Sequence, residues 1–412
     1  MRPLTISLVS EHASPLAVLG GVDAGGQNVH VAALASALAE LGHRVTVHTR
    51  RDAPDLPGDV PLSPGLTVHH VPVGPARNIP KDRLLPYMTA FGRHLARIWA
   101  ADPPDLVHAH FWMSGLAALH GTRDLAAPVV QTYHALGTVK RRHQGPADTS
   151  PTCRIPLELA IGRLCRRIIA TCRDEVDELA AMGLPRNRTT VVPCGVDPAR
   201  FTPQGPAAER TERPRLLHIG RLVPRKGAAT AITALARIPG AELLIAGGPP
   251  VGQLDSEPEA RRLRELAAAT GVGDRLHLLG GVAPETMPAL LRSADLVLCP
   301  PDYEPFGIVP LEAMGCGIPV VASAVGGYLD TIVDRVTGRL VPPGDPDALA
   351  AAAVELLADP QTRAAYGSAG RRRVAARFGW DSVAAATERV YHEVLAAGRR
   401  APDATVTVTG AA

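Results

Sequence analysis

The 412-residue chain has only six cysteines, Cys153, Cys165, Cys172, Cys194, Cys299 and Cys316, with no C-x-x-C pair and no zinc spacing among them. That argues against a disulfide framework and a thiolate metal site. The six read as buried thiols in a reducing compartment. No apolar run approaches the ~18 residues of a membrane span. The first apolar segment, residues 4–9, is a short strand rather than a signal-peptide core, so a cytoplasmic protein is expected. Charge of either sign is scarce and balanced, 43 Lys and Arg against 40 Asp and Glu, a net +3 with 15 neutral His. So small and evenly spread a charge points to neither nucleic acid nor a membrane surface. The basic clusters Lys140-Arg141-Arg142, Arg166-Arg167 and Arg371-Arg372-Arg373 read as solvated faces or helix ends. G-x-S-x-G and the Walker motif are missing, and with them the residues of the hydrolase and P-loop readings. G-x-G-x-x-G is missing too, and no acidic ribose partner closes the second strand, which disfavours a dinucleotide dehydrogenase. His108 and His110 form H-x-H, but no further Cys or carboxylate completes a site. Asp345-Pro346-Asp347, the one D-x-D, reads as a helix N-cap followed by Pro at the first helical position. No metal is expected.

What is present is a soluble, globular composition, 46% apolar and 20% charged, over a length that suggests two domains. Strand-like apolar runs at 5–9, 45–48, 66–71, 106–109, 129–132, 167–171 and 190–192 fill the first half. Runs at 215–219, 242–246, 276–278, 296–299, 320–322 and 338–341 fill the second. Helical patterns at 27–41, 84–100, 228–236, 259–270, 287–293 and 346–357 fall between them. The alternation predicts an α/β protein of two Rossmann-like domains with parallel sheets. The Pro-rich, charged stretch 202–214 is the candidate linker, giving domains 1–205 and 206–378. The tail 398–412 has no helical stripe and reads as disordered.

Five stretches carry candidate chemistry. In the second half, Glu304 and Glu312 lie eight residues apart, Glu304 in the loop after a buried strand and Glu312 on the next helix. An exposed carboxylate at the carboxyl end of a strand suits sugar or ribose hydroxyls; on spacing alone the pair fits a solvated loop and helix face equally well. Gly220-Arg221-Leu222-Val223-Pro224-Arg225-Lys226-Gly227 ends the first strand of that half, and its cations suit a diphosphate. In the first half, residues 20–31 are glycine-rich and lead from the first strand into the first helix, where backbone can approach an anion. The stretches 107–112 and 131–140 each end a strand; of these His134 and Lys140 would face the inter-domain cleft, although a lone His at a strand end is more often structural than functional.

In order and spacing, the E-x7-E stretch, Arg221 with Lys226, the run Met314–Ser323 and Gly326-Gly327 resemble the retaining glycosyltransferases of family 4, with the GT-B fold. The resemblance covers nearly the whole chain. It implies that a last helix, residues 379–397, crosses back onto the first domain, and that a nucleotide sugar lies against the second. It further implies Arg221, Lys226, Glu304 and His134 as catalytic residues, with Gly25, Gly26, Phe306, Gly307, Ile308 and Glu312 completing the donor site. Within the family, Gln27, Asn28 and residues 74–81 look most like two members, the mycothiol-pathway inositol-phosphate glycosyltransferase and sucrose-phosphate synthase. By that likeness Gln27, Asn28, Lys81, Phe111, Lys140 and Arg154 bind the acceptor. Phe111 stands where a Tyr would contact phosphate, and Ala135 where a Thr would. The resemblance implies a UDP-sugar donor, UDP-GlcNAc or UDP-glucose, and no cofactor. The acceptor is a small cyclitol or sugar, phosphorylated or, as in aminoglycoside pathways, a neutral aminocyclitol. A non-catalytic nucleotide-sugar binder stays open as another class, as does a homodimer.

Overall fold

The structure, a computed structural model, describes residues 2–16 and 25–400, with backbone alone at 398–400. Residues 20–24 of the glycine-rich stretch and 401–412 of the expected tail lie outside the described residues.

Eight strands form the first sheet: β1 (Thr5–Val9), β2 (Arg44–Arg50), β3 (Asp59–Ser63), β4 (Leu66–Val71), β5 (Leu106–His110), β6 (Val129–Thr132), β7 (Arg167–Ala170) and β8 (Thr189–Val191). Their spatial order is β3-β4-β2-β1-β5-β6-β7-β8. Six more form the second: β9 (Arg215–Ile219), β10 (Glu242–Ala246), β11 (Leu276–Gly280), β12 (Leu296–Cys299), β13 (Val320–Ser323) and β14 (Gly338–Val341), ordered β11-β10-β9-β12-β13-β14. Every pairing is parallel except β3 with β4. Helices cover both faces of each sheet, so central strands such as Leu-Val-Leu-Cys at β12 are buried throughout and read as continuous apolar runs.

The sheets were legible for that reason, and the misses have physical causes. β3 escaped notice because Pro61 sits in its middle; it is an edge strand, where a missing N–H costs no ladder bond. The helices Trp112–Gly121, Gly137–Gln144, Arg154–Leu164, Arg173–Ala181 and Pro360–Arg377 also went unread. Asp345 does cap its helix, its Oδ1 accepting from the N–H groups of Asp347 and Ala348 at 3.0 and 2.9 Å. Five cysteines are buried as expected, but Cys153 is exposed. The Arg371–Arg373 cluster is only partly a solvated face. Arg371 donates to the carbonyls of Pro198 and Phe201, each at 2.9 Å, and Arg373 to that of Asp330 at 2.7 Å.

Alternate side chains of each strand feed two cores. On one face of the first sheet Val9, Val107 and Ala109 meet Phe91, Leu95 and Trp112. On the other, Ile6, Leu8, Val45 and Val47 meet Val31 and Leu34 of helix Gly26–Glu40, together with Val383, Val390, Tyr391 and Val394. Those last four belong to the terminal helix Trp380–Arg400, which therefore crosses back to the first domain and runs past the expected end at 397. His108, on the same face, is sealed there. One ring nitrogen bonds the Tyr391 hydroxyl at 2.7 Å and the other the Thr132 hydroxyl at 2.9 Å.

Candidate active site

In the second sheet β9 lies between β10 and β12, so the chain winds away in opposite directions from the β9–β12 junction. The loops leaving the carboxyl ends of those two strands open a crevice there. Gly227 closes the first loop at φ +78°, and a Cβ on it would come within 1.8 Å of the Pro300 carbonyl oxygen. Glycine is thus what lets the two loops touch. The contact brings Lys226 Nζ onto Glu304 Oε2 as an ion pair. Glu304 is 8% exposed, not the exposed loop carboxylate expected from the sequence. Burial pushes its carboxyl up, but Lys226, then Arg225 and the Phe306 N–H, outweigh burial and hold it below the usual range. Arg221 lies exposed on the first loop. Gly307, at φ +88°, starts helix Ile308–Gly315, whose second turn carries Glu312. Burial, opposed by Arg200, pushes the Glu312 carboxyl up to about 7.

The first domain closes on this crevice. Gly25 is the N-cap of helix Gly26–Glu40. A Cβ on Gly26 would stand 3.3 Å from Ile308 Cδ1 and 3.4 Å from the Phe306 ring. His134, at the end of β6, holds a left-handed φ of +64°. For a non-glycine residue that conformation is uncommon and concentrates at functional sites. Its ring packs 5.2 Å from that of Phe306 and bonds His110 at 2.9 Å. Burial first, then His30, His108 and His12, keep it far below the usual imidazole range and hence neutral. Thr171 donates to the Pro305 carbonyl at 3.1 Å and Gln144 to the Tyr303 hydroxyl at 2.8 Å. Between these contacts lies a cavity of about 250 Å³ lined by His134, Glu175, Tyr303, Glu304 and Gly326. The proposed donor residues Gly25, Gly26, Lys226, Glu304, Phe306, Gly307 and Ile308 thus come together with His134.

The proposed acceptor residues are more dispersed. Gln27 Nε2 reaches the Ser10 hydroxyl and the His110 carbonyl, both at 3.3 Å, and Asn28 bonds the Ser14 carbonyl and the Gly25 N–H, both at 3.0 Å. Phe111 is buried at φ +84°. Lys140 Nζ sits 3.4 Å from Asp82, 3.1 Å from Asp148 and 2.9 Å from the Ser150 hydroxyl. Lys81 opens the short turn that carries Asp82. Arg154, 2% exposed, donates to Glu158 at 2.7 Å, to Ser150 at 3.1 Å and to the Ala135 carbonyl at 2.5 Å. It also lies 5.2 Å from the Phe111 ring centroid. Three cations here face three carboxylates, Asp82, Asp148 and Glu158, that come from separate segments and form no motif in the chain.

Sequence reading also missed two groups around the donor crevice. Arg225 lies 5.0 Å over the Tyr303 ring; its place beside Lys226 was the available signal. Glu175 lines the cavity with one oxygen bonded to the Thr171 N–H at 2.7 Å. Burial, partly offset by the two Thr171 hydrogen bonds, pushes its carboxyl up to about 7. Nothing in the pattern of helix Arg173–Ala181 announced it. Among the described residues no group of three or more His, Cys, Asp or Glu could hold a metal ion, and no helix is long and apolar enough to cross a membrane.

Two parallel-sheet domains meeting over the carboxyl ends of their strands, with the last helix returned to the first, are the GT-B arrangement of glycosyltransferases. Residues 24–200 match the family model described as "Glycosyltransferase Family 4", and residues 203–373 that described as "Glycosyl transferases group 1". The chain is 36% identical to the D-inositol 3-phosphate glycosyltransferase of Geodermatophilus obscurus, over 98% of this chain and 93% of that one. It is also 36% identical to the enzyme of the same name from Acidothermus cellulolyticus, over 97% and 92%. Among solved structures, sucrose-phosphate synthase from Thermosynechococcus elongatus superposes with a TM-score of 0.87 at 34% identity, over 95% of this chain and 99% of that one. HepE of Anabaena, in complex with UDP-glucose, shares the fold at a TM-score of 0.72 and 20% identity, over 96% and 100%. The chain belongs to glycosyltransferase family 4.

Proposed function

We propose that this glycosyltransferase moves a hexosyl unit, GlcNAc or glucose, from a UDP-sugar to a hydroxyl of a small cyclitol or sugar, with retention at the anomeric carbon. Residues 206–378 hold the donor and residues 1–205 the acceptor. The observation that carries this reading is the Lys226–Glu304 contact at the β9–β12 junction, facing Gly26, Phe306 and His134. A diphosphate entering the crevice meets Lys226 and Arg221, whose fixed charges stabilise the leaving UDP as negative charge develops. The starts of helices Gly26–Glu40 and Ile308–Gly315 supply backbone N–H groups from either side. Glu304, released from Lys226, accepts hydrogen bonds from donor-sugar hydroxyls, and ionised Glu312 accepts them from the ribose. Neutral His134 bonds the sugar's far side. The leaving phosphate takes the acceptor proton, and no metal or further cofactor is required.

The names of the relatives favour a phosphorylated acceptor such as an inositol phosphate, with Lys81 and Lys140 as its cations. A second reading, a neutral aminocyclitol, is favoured by Phe111 and Ala135, which offer no hydroxyl, and by the carboxylates already facing Lys140 and Arg154. One assay tests donor and acceptor together. Purified protein is incubated with UDP-glucose or UDP-GlcNAc and with inositol 3-phosphate, fructose 6-phosphate or 2-deoxystreptamine, and the product is read by mass spectrometry. Glycoside formation with one pair identifies both substrates. UDP binding without UDP release in every mixture would leave a nucleotide-sugar binder instead.

A further inference from the structure

Tyr303 belongs to the second domain and is held by the first. It stands in the loop after β12, one residue before Glu304, and is 9% exposed. The Arg225 guanidinium lies 5.0 Å over its ring. Arg225 Nη1 is buried without a hydrogen-bond partner among the described residues, so the ring face is what meets that charge. The Asp302 N–H donates to the Arg225 carbonyl at 2.9 Å, which ties the two donor-crevice loops together beside the tyrosine. From the first domain, the His143 ring stacks on Tyr303, with centroids 4.7 Å apart and planes at 29°. Gln144 Nε2 donates to its hydroxyl at 2.8 Å. His143 and Gln144 end helix Gly137–Gln144, which starts just after His134 and carries Lys140. The rest of that helix is tied to its own domain. The Gly137 N–H donates to the Glu158 carboxylate at 2.9 Å, Lys140 meets Asp82, Asp148 and Ser150, and Arg142 donates to Glu178 at 2.7 and 2.8 Å.

One short helix therefore joins a tyrosine of the donor half to a lysine of the acceptor half. Lys140 and Gln144 stand one turn apart on it, so a hold on Gln144 acts on the turn that carries Lys140. That hold exists only while the domains meet, because Tyr303 and Gln144 belong to different ones. A ligand that touches both domains favours the state in which they meet, and contacts made only in that state couple its binding to that of a second ligand. We infer that Tyr303 is a positioning residue that relays donor binding to the acceptor half, by steadying helix Gly137–Gln144, and with it Lys140, when the domains close. The inference rests on the glycosyl-transfer reading and on the acceptor role proposed for Lys140. The ring meets Arg225 and His143, and the hydroxyl adds one hydrogen bond, so substitution can separate the two contributions.

Two measurements on the full chain test it. The first is amide hydrogen exchange of residues 137–144 with and without saturating UDP, which needs no acceptor. UDP is expected to slow exchange there by about fivefold or more in the parent and by less than about twofold in Tyr303→Ala. Tyr303→Phe, which keeps the ring and loses the Gln144 bond, is expected to keep most of the protection. The second is the acceptor KM, with the three acceptors above and both UDP-sugars. It is expected to rise about tenfold or more in Tyr303→Ala, with UDP affinity in the absence of acceptor within about threefold of the parent. Tyr303→Phe is expected to recover most of that rise. Equal protection of residues 137–144 in the parent and Tyr303→Ala overturns the inference, and so does a segment that does not respond to UDP in the parent. A parallel loss of melting temperature and UDP affinity that Tyr303→Phe does not rescue also overturns it, because that marks plain packing. A parent that binds UDP but transfers to none of the acceptors overturns the glycosyl-transfer reading, while the exchange measurement still decides the relay. A parent that does not bind UDP overturns both.

Discussion

Lys226 and Glu304, 78 residues apart in the chain, close the donor crevice on each other. Each is held by a loop that leaves a neighbouring strand of one sheet. Their mutual contact pairs a buried carboxylate with its cation; on the proposed reading, a diphosphate and a sugar would divide them.

Lys226→Ala removes the cation and strands a buried carboxylate. Turnover is expected to fall at least a hundredfold. Stability should drop by on the order of 3 kcal/mol, the usual cost of an unpaired buried charge, with the chain still folded. Adding Glu304→Gln should restore the melting temperature but not turnover. Near-normal UDP release in the single variant would rule out the diphosphate role.

Glu312 sets a pH dependence. With its carboxyl raised from 4.5 to about 7, the folded protein binds a proton that the unfolded chain has released between those values. Stability contributed by this group is therefore lost as pH rises through that window. Glu312→Gln should melt higher than the parent at about pH 8 and alike at about pH 4.5. Ribose binding runs the other way: UDP affinity should strengthen from about pH 6 to about pH 8 in the parent and stay flat in the variant. Calorimetric titration at the two pH values decides it.

Gly26→Val places a branched side chain against Phe306 and Ile308, which already lie at contact distance from the missing Cβ. Each domain should fold as before, with kcat/KM for the donor down tenfold or more because the halves cannot close. Small-angle scattering with UDP present should report a larger radius than the parent. An unchanged radius together with unchanged kinetics would refute the close approach.

Lys81→Ala discriminates between the two acceptor readings. A phosphorylated acceptor should lose affinity tenfold or more, since a charge-assisted contact is worth about 1.5–3 kcal/mol. A neutral aminocyclitol should be transferred at nearly the parent rate. Side-by-side KM values for the two acceptors give the answer.

Tyr391→Phe leaves His108 buried with one ring nitrogen unbonded. The expected cost is about 1–3 kcal/mol, seen as a lower melting temperature with KM values unchanged. A variant as stable as the parent would show that this bond does not anchor the terminal helix.

Much of this is legible in the sequence. Buried parallel strands announce themselves as apolar runs, and the residues after β9 and β12 could be assigned to one crevice because both loops leave the carboxyl ends of such strands. Contacts between distant segments were another matter. Nothing local says that Asp82 meets Lys140 or that Ser114 clasps Glu11 from another strand's end. Such partners are chosen by the packing of helices onto the sheet. Glu304 reads as exposed for the same reason: its loop is visible, but not the Lys226 side chain, 78 residues away, that folds onto it.

The returned helix has a consequence for how the chain comes into being. Val383, Val390, Tyr391 and Val394 are buried in the core of a domain whose first strand begins at Thr5. During synthesis that core stays incomplete until helix Trp380–Arg400 has been made, so the first half waits, one apolar face uncovered, while the second sheet is built. A fragment cut at the linker should therefore be poorly soluble, whereas supplying the terminal helix as a separate peptide should rescue it.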